Sequence, residues 1–266
     1  MSLAGGTADF LGRVELPALW SDHGWFPRRG FFDIKTILSG TLVISAIATL
    51  VATPLGLGIA MYLSEYARPR VRRILKPAIE MLAGIPSVVM AYFALFWISP
   101  NLVQSLFDRA GTFSMLAAGI GVGILVSPIV ASVAEDALHA VPGSLREAAY
   151  GLGARKRSAS SKVVFPAAVS GIVAALLLGL SRAIGETLVV TIAAGATGGS
   201  PFTLDPLGPG QTMTAAMATL ATGSDQVKGA STAYPSLFFV GALLFLMTLT
   251  LNATSQRLVR RFRQRY

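Results

Sequence analysis

Arg182 and Glu186 stand four residues apart in a stretch that is otherwise free of charge from Val163 to about Ala196. On a helix that spacing puts both side chains on one face. With a rise of about 1.5 Å per residue, Arg182 lies roughly 28 Å above the start of the stretch, near or beyond the middle of a bilayer. An ion there costs several kcal/mol even on the low insertion scales, so such residues face a bundle interior or a water path. The planar guanidinium fork can donate two parallel hydrogen bonds to a tetrahedral oxyanion. Glu186 would partly neutralise Arg182 while no anion is present. The alternative is a helix-packing salt bridge, and the residue chemistry favours the path while leaving that alternative open. Ser87 and Ser127 lie near prolines within apolar blocks. They could line a path as hydroxyl donors or hydrogen-bond to the preceding helical turn.

A second constellation runs from Val141 to Lys162. Pro142 ends one helix, and Ser144 with Glu147 three residues on has the form of a capping box that starts another. Ala148 and Ala149 give that helix a narrow face, and Gly153 permits a sharp turn out of it. Arg155, Lys156 and Arg157 keep the next turn in water, and Pro166 is placed at the first turn of the following apolar block. The product is a short, small-surfaced helix between two apolar blocks. It could transmit the motion of a partner, or be a capped loop helix with none.

Other chemistries are disfavoured by what the sequence lacks. There is no cysteine, which removes thiolate metal sites, disulfides and a cysteine nucleophile. His23 and His139 are far apart in sequence, so a histidine metal centre or a Ser-His-Asp triad is not expected, and neither metal nor cofactor is implied. No Gly-x-x-x-x-Gly-Lys-Ser/Thr loop occurs, so this chain does not hydrolyse ATP by that route. The Gly119-x-Gly121-x-Gly123 run follows no strand and reads as close helix approach.

The elements that must position these residues follow from composition. Charged residues make up 13% of the chain and hydrophobic ones 53%, with a mean hydropathy of +0.63. Soluble domains carry roughly 25% charged residues. Five apolar blocks are each long enough to cross a bilayer as helices: Thr36–Ser64, Ile74–Ile98, Phe113–Ala134, Val163 to about Ala196, and Tyr234–Thr254. Fifteen of the 22 basic residues fall in three segments on one side: the Arg68–Lys76 stretch, the 141–162 loop and the tail. The positive-inside rule puts those segments in the cytoplasm, with the C-terminus inside and residues 1–35 outside. It also explains the net charge of +9 without nucleic acid. Residues 1–35 read as a polar surface leader with no signal-peptide pattern. Exporting such a leader without a preceding helix is awkward, so either an upstream helix or an unusual start site is expected. Lys76 is expected to pair with Glu80 one turn on, and Glu135 and Asp136 to form a solvated helix end.

The spacing Glu147-Ala148-Ala149, Gly153, then Val163-x-Phe165-Pro166 resembles the EAA loop of ABC importer permeases. That resemblance implies that Glu147, Ala148, Ala149 and Gly153 dock on an ATPase subunit. Arg182-Ala183-x-Gly185-Glu186-Thr187 resembles the permeases of phosphate uptake systems, and Leu188-Val189-Val190-Thr191 resembles the PstC type rather than the PstA type. Gly40-Thr41-Leu42, Tyr62-Leu63-Ser64-Glu65-Tyr66, Gly84-Ile85-Pro86-Ser87-Val88-Val89 and Phe238-Phe239-Val240-Gly241 fit the same type. The family's usual first helix has no counterpart here.

The resemblance implies an all-α, polytopic type I permease bundle with five transmembrane helices and a cytoplasmic coupling helix. Residues 36–266 would form the permease domain. Arg182, Glu186, Thr187 and Ser87 would stand on the substrate path. Implied partners are a PstA-type permease, a PstB-type ATPase dimer, a PstS-type extracytoplasmic binding protein and membrane lipid. The nearest rival is the same architecture for molybdate, tungstate or sulfate. A membrane enzyme or signalling protein would instead act without an ATPase partner.

Overall fold

The computed structural model describes residues 2–21, 23–195, 199–222 and 232–262. Lys228, Arg263 and Arg265, which entered the charge count above, lie outside the described residues. In chain order the elements are helix α1 (Leu3–Arg13), a hairpin of β1 (Trp25–Phe26) and β2 (Phe31–Phe32), then α2 (Ile34–Tyr66), α3 (Pro69–Leu82) and α4 (Ser87–Leu106). There follow α5 (Met115–His139), α6 (Gly143–Gly151), α7 (Lys156–Ala167), α8 (Val169–Ile184), α9 (Leu188–Ala193), α10 (Met213–Thr222) and α11 (Ala233–Phe262). Helices α2, α4, α5 and residues Ala233–Thr254 of α11 are long and apolar enough to cross a membrane. A fifth candidate is the pair α7 and α8, bent by 71°.

Two of the five apolar blocks differ from expectation. The block placed at Ile74–Ile98 is two helices. Its first part is the basic amphipathic α3, the chain turns at Gly84-Ile85-Pro86, and the span begins at Ser87. Proline removes a backbone donor and disfavours helix in the residue before it, so Pro86 starts α4 rather than kinking a longer helix. The block placed at Val163–Ala196 is interrupted twice, at the bend next to Ala168 and at Gly185–Thr187. Pro166 therefore sits at the end of α7, not at the start of a straight span. Pro54 and Pro128, by contrast, lie within α2 and α5.

The chain divides into two compact units. The first comprises Met1–Ala48, Pro86–Gly123 and Ala183–Thr250. Here the leader is not a loose surface segment, because its aromatic residues are core. Phe10, Leu19, Trp25 and Phe32 pack with Ile37, Met213, Ala216 and Val240. Phe10 meets Phe32 edge-on and stacks on Phe239. The loop after α9 closes over the start of α5: the Met115 and Leu116 N–H groups donate to the Gly208 and Pro206 carbonyls. These loop carbonyls satisfy donors that a helix start leaves open. Helix α10 belongs to the same unit, with Met213, Thr214, Ala215, Ala216 and Leu220 buried.

The second unit comprises Thr49–Ile85, Ile124–Arg182 and Leu251–Tyr266. Its core gathers Ala60, Ala134, Leu138, Val141, Val164, Ala168, Ile172 and Ala175. Small residues let the helices approach closely, as helix packing in lipid favours. Gly56 of α2 and Gly179 of α8 both abut Val130 of α5, where an added Cβ would come within 2.7 and 2.6 Å of its side chain. Gly179→Ala should therefore lower stability by about 1–3 kcal/mol through overpacking, and Val130→Ala in the same chain should recover part of it. Thermal unfolding of the purified protein in detergent checks this. Equal midpoints for the wild type and Gly179→Ala would contradict the contact.

Candidate functional site

Helix α6 is built as a short rod with a sharp stop. Pro142, at φ −56° and ψ 136°, occupies the N-cap position, and no side chain caps the helix. The expected Ser144–Glu147 capping box is thus not formed, because the helix begins at Gly143 and Ser144 is already inside it. The far end is a complete Schellman motif. The Ala154 N–H donates to the Ala149 carbonyl at 3.0 Å and the Gly153 N–H to the Tyr150 carbonyl at 2.9 Å. Gly153 has φ +81°, the left-handed conformation that such an ending requires. Glu147, Ala148, Tyr150 and Leu152 are exposed, while Ala149 turns inward and is buried. Leu152, at 90% exposure, is the most prominent apolar side chain of the segment.

What fixes this helix was not among the sequence candidates. Arg146 points back from α6 to Glu65 at the end of α2. Its Nη2 lies 2.9 Å from Glu65 Oε1 and also donates to the Leu138 carbonyl, and its Nη1 donates to the Val141 carbonyl. The other carboxylate oxygen of Glu65 accepts from the Ser160 hydroxyl at 3.2 Å. Glu65 is buried within a π-helical turn, Tyr62–Tyr66, that ends α2. One carboxylate therefore ties together α2, α6 and the start of α7. Lys156 adds a cation–π contact over Tyr66. The signal was present in the sequence: Glu65 is the first acid after a long charge-free block, where an ion needs a partner.

A second buried carboxylate holds α3. Glu135 is fully buried and lies 2.6 Å from Arg72 Nη2, a charge contact rather than an aligned hydrogen bond. It also accepts from Lys76 Nζ at 2.7 Å, and Lys76 bonds Asp136 as well. Burial works against the Lys76 ammonium, but its hydrogen bonds to Asp136 and Glu135 and their charges outweigh that and raise its pKa. Its contribution to stability is thus full below the ordinary lysine pKa and is lost as pH rises through the raised value. The expected pairing of Lys76 with Glu80 is not what forms. Glu80 accepts from Ser132 instead. Glu135 is not the solvated helix end expected of it, whereas Asp136 is largely exposed.

The Arg182–Thr187 segment is a broken helix rather than one continuous face. Arg182 lies exposed in the last turn of α8, and the helix ends at Ile184. Glu186 follows the break and is buried, and its Oε1 is 3.5 Å from the Val189 N–H. The Thr214 hydroxyl donates to the Glu186 carbonyl at 2.7 Å and lies 2.9 Å from the Thr212 hydroxyl. Gly185 and Thr187 line an open, largely apolar pocket of about 370 Å³ with Thr214, Met217, Ala218 and Leu244. Ser87, half-buried at the start of α4, is not among its lining residues. Ser127 donates to the Ile124 carbonyl of its own helix. Thr212 and Thr214 were missed because nothing local distinguishes a threonine that satisfies a distant backbone break from any other helix-start threonine.

Residues 52–266 match the family described as binding-protein-dependent transport system inner membrane component. A phosphate transport system permease protein PstC of Pasteurella multocida is 31% identical over 99% of this chain and 86% of its own length. One from Mesorhizobium japonicum is 32% identical over 98% of this chain and 83% of its own length. Among solved structures, an inward-facing MetNI methionine ABC transporter chain aligns with a TM-score of 0.62 at 19% identity, covering 85% of this chain and 94% of that one. An amino acid ABC transporter aligns with a TM-score of 0.57 at 21% identity. These last two likenesses concern the fold alone.

Glu65→Ala should cost about 3 kcal/mol, the low end for a broken buried pair, because Arg146 keeps two carbonyl acceptors. Glu65→Ala combined with Arg146→Met should lose less than the single change, since no buried cation is then left without its carboxylate. Chemical or thermal unfolding in detergent reads both, and an unaltered midpoint for Glu65→Ala would contradict the lock.

Proposed function

The chain belongs to the family of binding-protein-dependent transport system inner membrane components, and from that membership we propose that it is the PstC-type permease of a phosphate importer. It is a multi-pass membrane subunit of an ABC importer and not an enzyme. ATP hydrolysis belongs to separate subunits, and such an importer also contains a second permease and a binding protein. The observation that carries the choice of phosphate is likeness to PstC permeases along nearly the whole chain. In this reading the partners are of PstA, PstB and PstS type. Residues 36–266 form the permease domain, residues 1–35 lie outside the cell membrane, and the C-terminus is cytoplasmic.

The coupling step is assigned to α6. Glu147, Ala148 and the Gly153 turn dock on the ATPase, while Ala149 is the inward anchor of the same helix. Support comes from a tip that is exposed and a root that is fixed: a force on Glu147 or Leu152 passes through Arg146 and Glu65 into α2. The anion path is assigned to Arg182, Glu186, Thr187 and Ser87. Support for the first three is a helix interruption inside an apolar span. In membrane transporters such breaks are tolerated only where neighbours or a cavity satisfy the freed backbone groups.

Anion competition in the reconstituted importer tests the substrate. Unlabelled phosphate should displace labelled phosphate, and molybdate, tungstate and sulfate should not; failure of phosphate to compete would overturn the assignment. Arg182→Gln should cut uptake by about tenfold or more, the loss expected for a charge-assisted hydrogen bond of about 1.5–3 kcal/mol, with assembly intact. Normal uptake would remove Arg182 from the path. Glu147→Lys should weaken association with the ATPase and lower transport-coupled hydrolysis, and unchanged values for both would remove α6 from the coupling step.

A further inference from the structure

Helix α3 presents its faces in reverse. Its charged stripe, Arg72, Lys76 and Glu80 at four-residue spacing, is turned toward α5 of its own chain. There it meets Glu135, Asp136, His139 and Ser132. Its apolar stripe is turned away. Ile74 is 71% exposed, Met81 72% and Leu82 50%, and no residue of the helix is buried. A helix on a water-facing surface has the opposite arrangement. The fully buried Glu135 carboxylate sets the rotation, because turning the apolar stripe inward would strip it of Arg72 and Lys76.

We propose that the outward face of α3 lies in the headgroup and upper acyl region of the bilayer and binds anionic phospholipid. The chain path supports this placement. Two residues separate α3 from the end of the α2 span, and four separate it from the start of the α4 span. Both of its ends are thus held at one membrane surface, and a helix of this length there runs along the interface rather than out into water. The charge pattern selects the lipid. Arg68, Arg70 and Arg73 are exposed beside the apolar stripe. Cations flanking an apolar face are the pattern of interfacial helices that prefer anionic headgroups. The buried ion pairs on the other face then act as the hinge pin that holds this helix flat.

The absence of cysteine from this chain makes the test clean. Ile74→Cys, Met81→Cys and, as an aqueous control, Asp108→Cys in the exposed loop after α4 are labelled with bimane. Each is assembled with the importer's other subunits in vesicles of phosphatidylcholine with about one part in four phosphatidylglycerol. A phosphatidylcholine spin-labelled near the top of its acyl chain should quench the probes at 74 and 81 roughly twofold or more and leave the probe at 108 unchanged. Replacing Arg68, Arg70 and Arg73 together by Gln should reduce that quenching in the phosphatidylglycerol vesicles and not in pure phosphatidylcholine. On the unsubstituted importer, a phosphatidylglycerol with a photoreactive group at the same depth should crosslink within residues 74–82. Probes at 74 and 81 that respond to aqueous iodide and not to lipid would overturn the proposal. So would a crosslink from position 74 to the second permease, which would name that subunit as the occupant. None of these readings depends on which anion the importer carries.

Discussion

An ion taken out of water inside an apolar bundle must be paired, and the second unit of this chain is organised around two that are. Glu65 at the end of α2 and Glu135 near the end of α5 are both buried carboxylates. Each recruits cations from a neighbouring element: Arg146 from α6 for the first, Arg72 and Lys76 from α3 for the second. A buried pair of this kind adds little net stability compared with apolar packing, since desolvation consumes most of the Coulomb gain. Its effect is on geometry. Small residues such as Ala134, Ala168 and Ala175 let the helices approach closely, and the carboxylates fix which face of α3 and α6 points inward.

That constraint gives α6 mechanical value. Glu147, Ala148, Tyr150 and Leu152 stand out from the chain, and a Schellman turn at Gly153 ends the helix abruptly. A rod with an exposed tip transmits force only if its root does not yield. Arg146 supplies the root through Glu65 and the carbonyls of Leu138 and Val141 at the end of α5 and just beyond it. The proposed division of labour follows. The second unit receives the push from the ATPase, and the first unit carries the broken helix at Gly185–Thr187 and the pocket beside it.

Much of this was legible in the sequence, and the rest was not for identifiable reasons. The spans at 34–66, 115–139 and 233–254 lie within a few residues of the apolar blocks, because hydropathy over twenty residues is set by the sequence itself. The turn at Gly153 was likewise local chemistry. The block at 74–98 reads as one span because α3 carries Ile74, Leu75, Met81 and Leu82 on a face that does not point into its own protein, so its hydropathy runs on into that of α4. The fourth block hid its bends because composition does not record direction. The pairs Glu65–Arg146 and Glu135–Lys76 join residues 81 and 59 positions apart, which no local pattern encodes. Lys76 and Glu80 had the right spacing to pair, but a deeply buried carboxylate competes for the ammonium more strongly than an exposed one does.

The central claim, that α6 and the end of α2 move as one body because Glu65 and Arg146 lock them, is tested most directly by a distance measurement. Spin labels at Tyr150→Cys on α6 and Tyr62→Cys near the end of α2, both exposed positions, would be followed by pulsed electron resonance in the assembled importer, nucleotide-free and trapped with ATP. The account predicts the same narrow distance distribution in both states, broadening when Glu65 is replaced by Ala. A distance that shifts with nucleotide while Glu65 and Arg146 are intact would contradict it.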